Sequence, residues 1–475
     1  MTTTSSRPIE RGAPRVEKPG PMTWAKKNLF NSWFNAILTV VLVAVIGGAL
    51  LRLLIWAFSA EWIVVTENFG QYMAGLYPAE SYWRIWTVFA MIMALAGVSW
   101  GVLARNQKQL FSRTASIWLG AIALFFILWP MTRPHLLWIL GSMGLLVVGA
   151  ALGRAFGRKV NGGTSWVSGM WFLSYLIALY LFGGGPFFGN APVIGPSIFY
   201  RAVIVGLPLW IGWQMAKRID IPGIPKLLGD ILLFVLGFIV FFQLLQYIPY
   251  WLGLDIGLKS ISTSSWGGLS LTLLLAISGI ALCFPAGVLL ALGRRSKLPI
   301  VRAFSVAYIE LVRGVPLISI LFMGQVLIPL FLPEGVRPDR VVRAVIGLTI
   351  FSAAYLAENV RAGLQSIPQG QTEAAQSLGL NKPLTTALIV LPQALKVAIP
   401  AIVGQFISLF QDTTLLGIVG LIELLGITQS LSANPKYLGD YAQAYLFIAT
   451  IYWIFCYAMS YGSRRIEEAL NTDLR

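Results

Sequence analysis

Six ionisable residues stand in or beside long apolar runs in the second half of this 475-residue chain: Glu310, Arg313, Glu358, Arg361, Asp412 and Glu423. A charge in hydrocarbon costs several kcal/mol unless it is paired or wetted, so such residues mark a polar path or a site for a polar solute. Glu358 and Arg361 are three apart, as are Glu310 and Arg313, and that spacing shares one helix face. Each pair can neutralise itself at a helix end, or its members can hold charges brought by a solute. Asp412 follows an apolar span and precedes a second apolar stretch, 415–427, that reads as re-entrant. Transporters build their sites at broken helices of this kind. Nucleophilic and metal chemistry lack their materials. The single histidine, His135, follows Arg133-Pro134 in a short loop and reads as an interfacial residue. Cys283 and Cys456 lie inside apolar runs, where lone cysteines behave as small hydrophobes, so neither a disulfide nor a metal site is expected. The dipeptide Gly-Lys does not occur, which excludes a Walker A loop. No catalytic residues and no cofactors are expected.

The elements that hold these residues must be membrane helices. The chain is 57% hydrophobic and 11% charged, with a mean hydropathy of +0.75, whereas soluble domains carry about a quarter charged residues. The net charge of +16 is spread over short loops between apolar runs, the pattern of membrane orientation rather than of nucleic-acid binding. Stretches of roughly 20 apolar residues place spans near 36–58, 85–104, 115–131, 136–153, 166–185, 200–216 and 228–250. Further spans fall near 268–292, 303–331, 342–364, 388–410 and 441–463. The expected fold is an all-α polytopic membrane protein of about 12 transmembrane helices. With the basic segment 1–34 placed in the cytosol, Arg105, Lys108, Arg113, Arg154, Arg158, Lys159, Lys217, Arg218, Lys226, Arg294, Arg295, Lys297 and Arg302 all fall inside. Glu61, Glu67 and Glu80 fall outside, and only the loop from Arg337 to Arg343 breaks the bias. Both termini are then cytosolic. A Ser-rich stretch, 251–266, divides the chain near residue 260. Before it (35–260) come about seven aromatic-rich spans with almost no buried charge. After it (261–475) come the ionisable residues, so the second half is expected to do the work.

Between the spans 342–364 and 388–410 runs a polar loop, 365–387, reading Gln365-Ser-Ile-Pro-Gln-Gly-Gln-Thr-Glu-Ala-Ala-Gln-Ser-Leu-Gly379. Pro368 suits an early helix position, Thr372 to Leu378 form helix well, Gly379 permits a left-handed turn, and Pro383 restarts the chain. Ala374 and Ala375 offer a small surface that another protein could approach closely. Glu373-Ala374-Ala375, Gly379 six residues after Glu373, and Ile389-x-Leu391-Pro392 resemble the EAA loop of ABC importer permeases. The resemblance implies that Glu373, Ala374, Ala375, Leu378 and Gly379 couple the chain to an ATPase.

A narrower branch is matched by Ile309-Glu-Leu-Val-Arg-Gly-Val-Pro-Leu317, Ala354-Tyr-Leu-Ala-Glu-Asn-Val-Arg-Ala-Gly363, Phe410-Gln-Asp-Thr-Thr-Leu415 and Trp266-Gly-Gly-Leu-Ser-Leu-Thr272. These look like the polar amino acid permeases (histidine, arginine, glutamine, glutamate) over about 266–470, the five-helix type I core. The long N-terminal extension, with Lys27-Asn28-Leu29-Phe30 before the first span, is similar to permeases of general L-amino acid and glutamate/glutamine/aspartate systems. Gln411, Asn359 and Ala362 depart from the common pattern of that branch. The resemblance implies a bacterial cytoplasmic-membrane subunit that translocates polar or acidic L-amino acids. Its implied partners are an ATP-binding cassette ATPase dimer, a second permease (a heterodimer favoured over a homodimer), an extracytoplasmic amino-acid-binding protein and membrane lipid. A zwitterionic substrate needs a cation for its carboxylate and an anion for its ammonium. Ser352, Glu358, Arg361, Asp412 and Thr413 are the expected substrate site, Arg361 taking the carboxylate and Asp412 or Glu358 the ammonium. A secondary transporter of small polar solutes is the alternative; it predicts duplicated halves and proton-relay carboxylates, and neither is visible. An intramembrane enzyme would need a nucleophile–base pair or metal ligands, which one loop histidine does not supply.

Overall fold

A computed structural model describes residues 20–106, 109–129, 132–159, 163–188, 206–215, 229–230, 232–241, 256–333 and 338–471. Most of the basic N-terminal segment, Lys108, Lys217, Arg218, Lys226, Arg337, much of the loop 183–196 and parts of the spans expected at 200–216 and 228–250 lie outside those residues.

The first compact unit ends at Glu61. It holds α1 (Pro21–Asn28) and α2 (Trp33–Ser59), whose first turn is capped by the Ser32 hydroxyl accepting from the Asn35 amide at 3.2 Å. Apolar residues run all the way around α2 and none of them is buried. That is the pattern of a helix whose surroundings are lipid.

The second unit begins at Trp62. Two short helices, α3 (Ile63–Thr66) and α4 (Phe69–Ala74), lead into α5 (Tyr82–Leu103), α6 (Arg113–Leu128), α7 (Arg133–Lys159) and α8 (Gly163–Gly183). After the two apolar helical stretches at 206–215 and Leu232–Phe241 come α9 (Gly268–Arg294), α10 (Pro299–Arg313), α11 (Leu317–Leu330) and α12 (Arg340–Ser366). The chain ends through α13 (Gln369–Ser377), α14 (Leu391–Asp412), α15 (Leu424–Ser432) and α16 (Tyr441–Asn471). Among the described residues, eight helices are long and apolar enough to cross a membrane, nine if α10 and α11 count as one. The shorter ones at Ala115–Leu128 and Leu232–Phe241 fall on two further expected spans. The all-helical expectation has one exception, a two-stranded antiparallel ribbon pairing Gly185 with Leu258.

The span expected at 303–331 is broken. The axes of α10 and α11 meet at 110° across Gly314-Val315-Pro316. Pro316 cannot donate a backbone hydrogen bond, and it biases the residue before it away from helix. Hydropathy averages over such a break. Before residue 260 one charged side chain is buried among the described residues, Arg84, which is 4% exposed. Its guanidinium donates to the Lys259 carbonyl at 2.8 Å and ties α5 to the start of the second half. On the face of the glutamate loops, Glu67 accepts from Lys436 and, at 2.8 Å, from the Tyr437 hydroxyl. These two donors hold its carboxyl below the usual carboxylate range. Behind that link, Val64, Val65 and Tyr72 are fully buried in one cluster with Leu424 and Ile427 of α15.

Helices α5 and α7 pack backbone to backbone through small residues four apart: Gly97 and Gly101 on one, Gly149 and Gly153 on the other. A Cβ at Gly101 would stand 2.1 Å from the Ala150 carbonyl oxygen, and one at Gly153 would stand 2.3 Å from that of Val98. In lipid the hydrophobic effect does not drive helices together, so such close packing carries the association. Gly101→Leu should lower stability by at least ~1–3 kcal/mol, the cost of overpacking a filled interface. Gly120→Leu on α6, where nothing lies within 4 Å, should be silent. Thermal unfolding in detergent, followed by fluorescence-detected size exclusion, makes the comparison; equal midpoints for the two variants would refute the packing claim.

Candidate functional site

The ionisable residues of the second half gather into one network at the junction of α9, α10 and α12. Arg294 closes α9, and its Nη1 reaches Glu310 Oε1 at 2.9 Å and Glu358 Oε1 at 2.8 Å. Arg361 grips the other Glu358 oxygen with Nε at 2.8 Å and Nη2 at 2.7 Å, and also donates to Gln365 Oε1 at 2.8 Å. Arg313 stands farther off, 3.8 Å from Glu358 Oε2, with its guanidinium 5.4 Å from the centroid of the Tyr355 ring. Cation–π contact of this kind favours a partly desolvated guanidinium. Three arginines against two glutamates leave the network one positive charge in excess. Glu358 is its hub, with a side chain 15% exposed. Of the two expected i,i+3 pairs, Glu358 and Arg361 do meet. Glu310 instead pairs with Arg294 of α9, which on sequence had been assigned to the basic loop.

The rest of the expected site lies elsewhere. The Asn359 side chain donates to the Ala401 carbonyl at 3.1 Å, which fixes the level at which α12 and α14 cross. These helices are antiparallel, since Gly363 backs onto Ala394. At 1.5 Å per residue, Asp412 is about 16 Å and Ser352 about 10 Å beyond that level, both toward the end away from α13. Glu358 and Arg361 sit beside it. Ser352 is fully buried and its hydroxyl has no hydrogen-bond partner among the described residues. Asp412 is half-buried and has neither an ion-pair nor a hydrogen-bond partner among them. Thr413 is buried, donates to the Phe410 carbonyl at 2.7 Å, and joins a different polar node. In that node the Tyr452 phenol lies within reach of Thr413 and Thr272 and donates to Glu423 at 3.2 Å. Glu423 is itself a helix cap, its carboxylate accepting from the amides of Leu425 and Gly426 at 2.8 Å. Its burial is explained by that duty.

The stretch 415–427 is helical in two pieces. A tight 3-10 turn, Thr413–Val419, ends at Gly420 with φ +79°, and α15 then starts on the Glu423 cap. The helical path therefore runs on past Asp412 to Val419 and breaks at Gly420, and an earlier break falls at Gly314.

The polar loop forms the helix the sequence expected, three residues longer at its start. In α13, Glu373, Ala374 and Leu378 face outward, Leu378 at 84% exposure. Ala375 does not share that face; it is 4% exposed, because it turns toward the Thr386–Val390 turn that α13 packs against. Gly379 has φ +83°. Its amide reaches the Gln376 carbonyl at 2.9 Å and the Leu380 amide reaches that of Ala375 at 3.2 Å, a Schellman ending that a side chain would strain. Asn381 then caps Lys382–Thr385, a π-helical turn covers Thr386–Val390, and α14 follows. Gln371 and Gln393, 3.3 Å apart, pin α13 to the base of α14.

His135 is not a loop residue. It lies in the first turn of α7 with its ring 5.8 Å from Phe69 and 5.4 Å from Trp86. Both cysteines are free. No group of residues able to hold a metal ion occurs among the described residues.

Comparison with known proteins adds the family. The model for "binding-protein-dependent transport system inner membrane component" matches residues 283–471. Along its length the chain is 32% identical to the inner membrane amino-acid ABC transporter permease YhdY of Escherichia coli K12, covering 95% of this chain and 93% of that one. It is also 32% identical to the glutamate/glutamine/aspartate/asparagine transport system permease BztC of Rhodobacter capsulatus, over the whole of both. A probable glutamine ABC transporter permease of Bacillus subtilis, GlnP, matches 42% of this chain and 91% of its own at 35% identity.

The network makes its own prediction. Glu358→Gln leaves three guanidiniums facing one another without their hub and should cost about 2 kcal/mol, the scale of a lost charge-assisted bond. Adding Arg361→Gln should recover a good part of that loss, because the two side chains serve each other. Thermal unfolding of single and double variants decides it; additive losses would show that the pair is not coupled.

Proposed function

The chain belongs to the amino-acid ABC transporter permeases, the membrane subunits of ATP-driven importers, and from that premise we propose that it passes polar or acidic L-amino acids, of the glutamate, glutamine and aspartate kind, through the bundle α9 to α16. It is a multi-pass inner-membrane protein. One observation carries the rest of the reading: α13 stands between two membrane spans as a short helix pinned to α14, with Glu373, Ala374 and Leu378 turned outward. A helix so presented suits a groove on a separate ATPase, and Ala375 and Gly379 shape it from within. In this reading an ATPase dimer docks on α13 and an external binding protein delivers the amino acid to the opposite face. The basic loops support cytosolic placement of α13 and of both termini. A second permease completes the pathway, and we take it to be a relative of this chain rather than a copy, since long permeases of this type resemble one member of a pair.

The substrate meets the expected residues in turn rather than at once, because about 16 Å of helix separates Asp412 from the Glu358–Arg361 level. Asp412, unpartnered and half-buried, receives the ammonium, with Ser352 and Thr413 near its level. Farther in, the arginine excess of the network favours the carboxylates. In this reading the chain divides near residue 260 into a supporting extension and a translocating core.

Affinity purification from native membranes tests the docking role. The ATPase should accompany the intact chain and be lost with Leu378→Asp, which charges the exposed apolar knob, and with Gly379→Val, which forces a β-branched residue to a positive φ. Undiminished co-purification with both variants would end the claim. For the site, Asp412→Asn should cut uptake of radiolabelled glutamate about tenfold, the loss expected for ~1.4 kcal/mol of charge-assisted binding. Unchanged uptake would remove Asp412 from the path.

A further inference from the structure

At the end of the bundle that carries α13, three cations line one open hollow and a fourth stands beside it. Arg295, Lys297 and Arg302 line it together with Ser296, Pro299 and Ala303, and its empty volume is about 1220 Å³ including solvent at the open side. Lys382, on the segment that follows α13, comes within hydrogen-bonding reach of Lys297. Two ammonium groups at that range repel, and no acidic side chain pairs with any of the four among the described residues. Only Arg295 has an internal partner, the Leu364 carbonyl at 3.2 Å.

The surface beside this cluster is apolar. Leu298 is 64%, Ile300 84% and Phe304 68% exposed, and they share the loop and first turns of α10 with the cations. Leu384 and Leu388, 45% and 60% exposed, follow Lys382 in the same way. Helix α10 is thus an amphipathic element at the edge of the membrane, basic above and greasy beside. A free phosphate would satisfy the cations and leave that apolar surface unused. An acidic protein would satisfy the cations but would have to cover the same exposed leucine, isoleucine and phenylalanine as well. A molecule with an anionic head and acyl chains uses both.

We propose that the hollow lined by Arg295, Lys297 and Arg302, with Lys382 beside it, binds the phosphate headgroup of an acidic phospholipid, whose chains lie along Leu298, Ile300 and Phe304. Headgroup attraction is worth about a fivefold gain in affinity per Lys or Arg near an anionic surface. Lys382 joins this site directly to the end of α13, so an occupied site neutralises the Lys297–Lys382 repulsion and holds the segment between α13 and α14 against the bundle.

Native mass spectrometry of the purified full chain tests it, with phosphatidylglycerol and phosphatidylcholine of the same chain length offered in mixed micelles. The intact chain should retain phosphatidylglycerol in clear preference. The variant Lys297→Gln/Arg302→Gln/Lys382→Gln should lose that preference by about a hundredfold, and Lys297→Arg/Lys382→Arg should keep it. All three positions are exposed, and an unchanged size-exclusion profile confirms that the variant is folded. Equal retention of both lipids, or retention unaltered by the triple substitution, overturns the proposal. Competition by soluble glycerol phosphate as effective as by the lipid would also overturn it, in favour of a free-anion site. So would loss of ATPase co-purification in the triple variant with its lipid preference intact, which would make the patch a protein-docking surface.

Discussion

A carboxylate that must not be left alone in hydrocarbon organises the core of this protein. Glu358 is nearly enclosed by three helices, and each helix sends it an arginine: Arg294 from α9, Arg313 from α10, Arg361 from α12 itself. Removing an ion from water costs several kcal/mol, recovered only when geometry and remaining hydrogen bonds are good. Both oxygens of Glu358 are engaged, so the arrangement meets that condition. It also dictates the neighbouring fold. Arg294 can reach Glu358 only if α9 ends there, and Glu310 can share Arg294 only if α10 turns back across it. The sharp break at Gly314-Val315-Pro316 is the price of that return.

The same constraint explains what surrounds the network. Where a buried carboxylate has a structural duty, its partners are complete: Glu423 caps α15 through two amides and a phenol. The side chains of Asp412 and Ser352 have no partner among the described residues. They lie on the two antiparallel helices that cross at Asn359 and Ala401, toward the end remote from α13. Groups kept unsatisfied in a low-dielectric setting are costly, and such groups persist where something else is to be bound. Both Glu423 and Asp412 are acids, but Glu423 is fully buried with its partners complete, whereas Asp412 is half-buried and has none among the described residues.

Much of this was legible in the sequence, and the misses have particular causes. Spans show because a bilayer demands length and apolarity together, and each expected span falls wholly or in part on helix where it is described. The break between α10 and α11 carried its signal in Gly314 and Pro316, but a window wide enough to find a span is too wide to see three residues. The glycine faces of α5 and α7 were likewise visible as Gly97-x₃-Gly101 and Gly149-x₃-Gly153, yet nothing in one helix says which other helix will meet it. Arg294 was sorted by its neighbours Arg295 and Lys297 into a loop, when one residue's difference puts it on the last turn of α9. Ala375 was paired with Ala374 by adjacency, although neighbours on a helix point about 100° apart and only one can face outward. Proximity between Glu358 and Arg361 followed from spacing alone. Separation of both from Asp412 did not, because it depends on how far two antiparallel helices slide past each other.

That slide gives the core a mechanical reading. Helix α14 begins at the turn against which α13 packs and ends at Asp412, so one rod of about 33 Å joins the α13 end of the bundle to that acid. Gln371 and Gln393 pin α13 to its base, and Asn359 grips it part-way along. The π-turn at Thr386–Val390 and the 3-10 turn at Thr413–Val419 bracket the rod with backbone that departs from α geometry, and such segments often mark hinges. A rod pinned at one end and held at its middle links the position of α13 to that of Asp412. The Glu358 network sits beside the grip at Asn359, where α9, α10 and α12 are tied by charge. Helix α14 thus lies along a wall braced by ion pairs, while its own hold on α12 at that level is a single side-chain hydrogen bond.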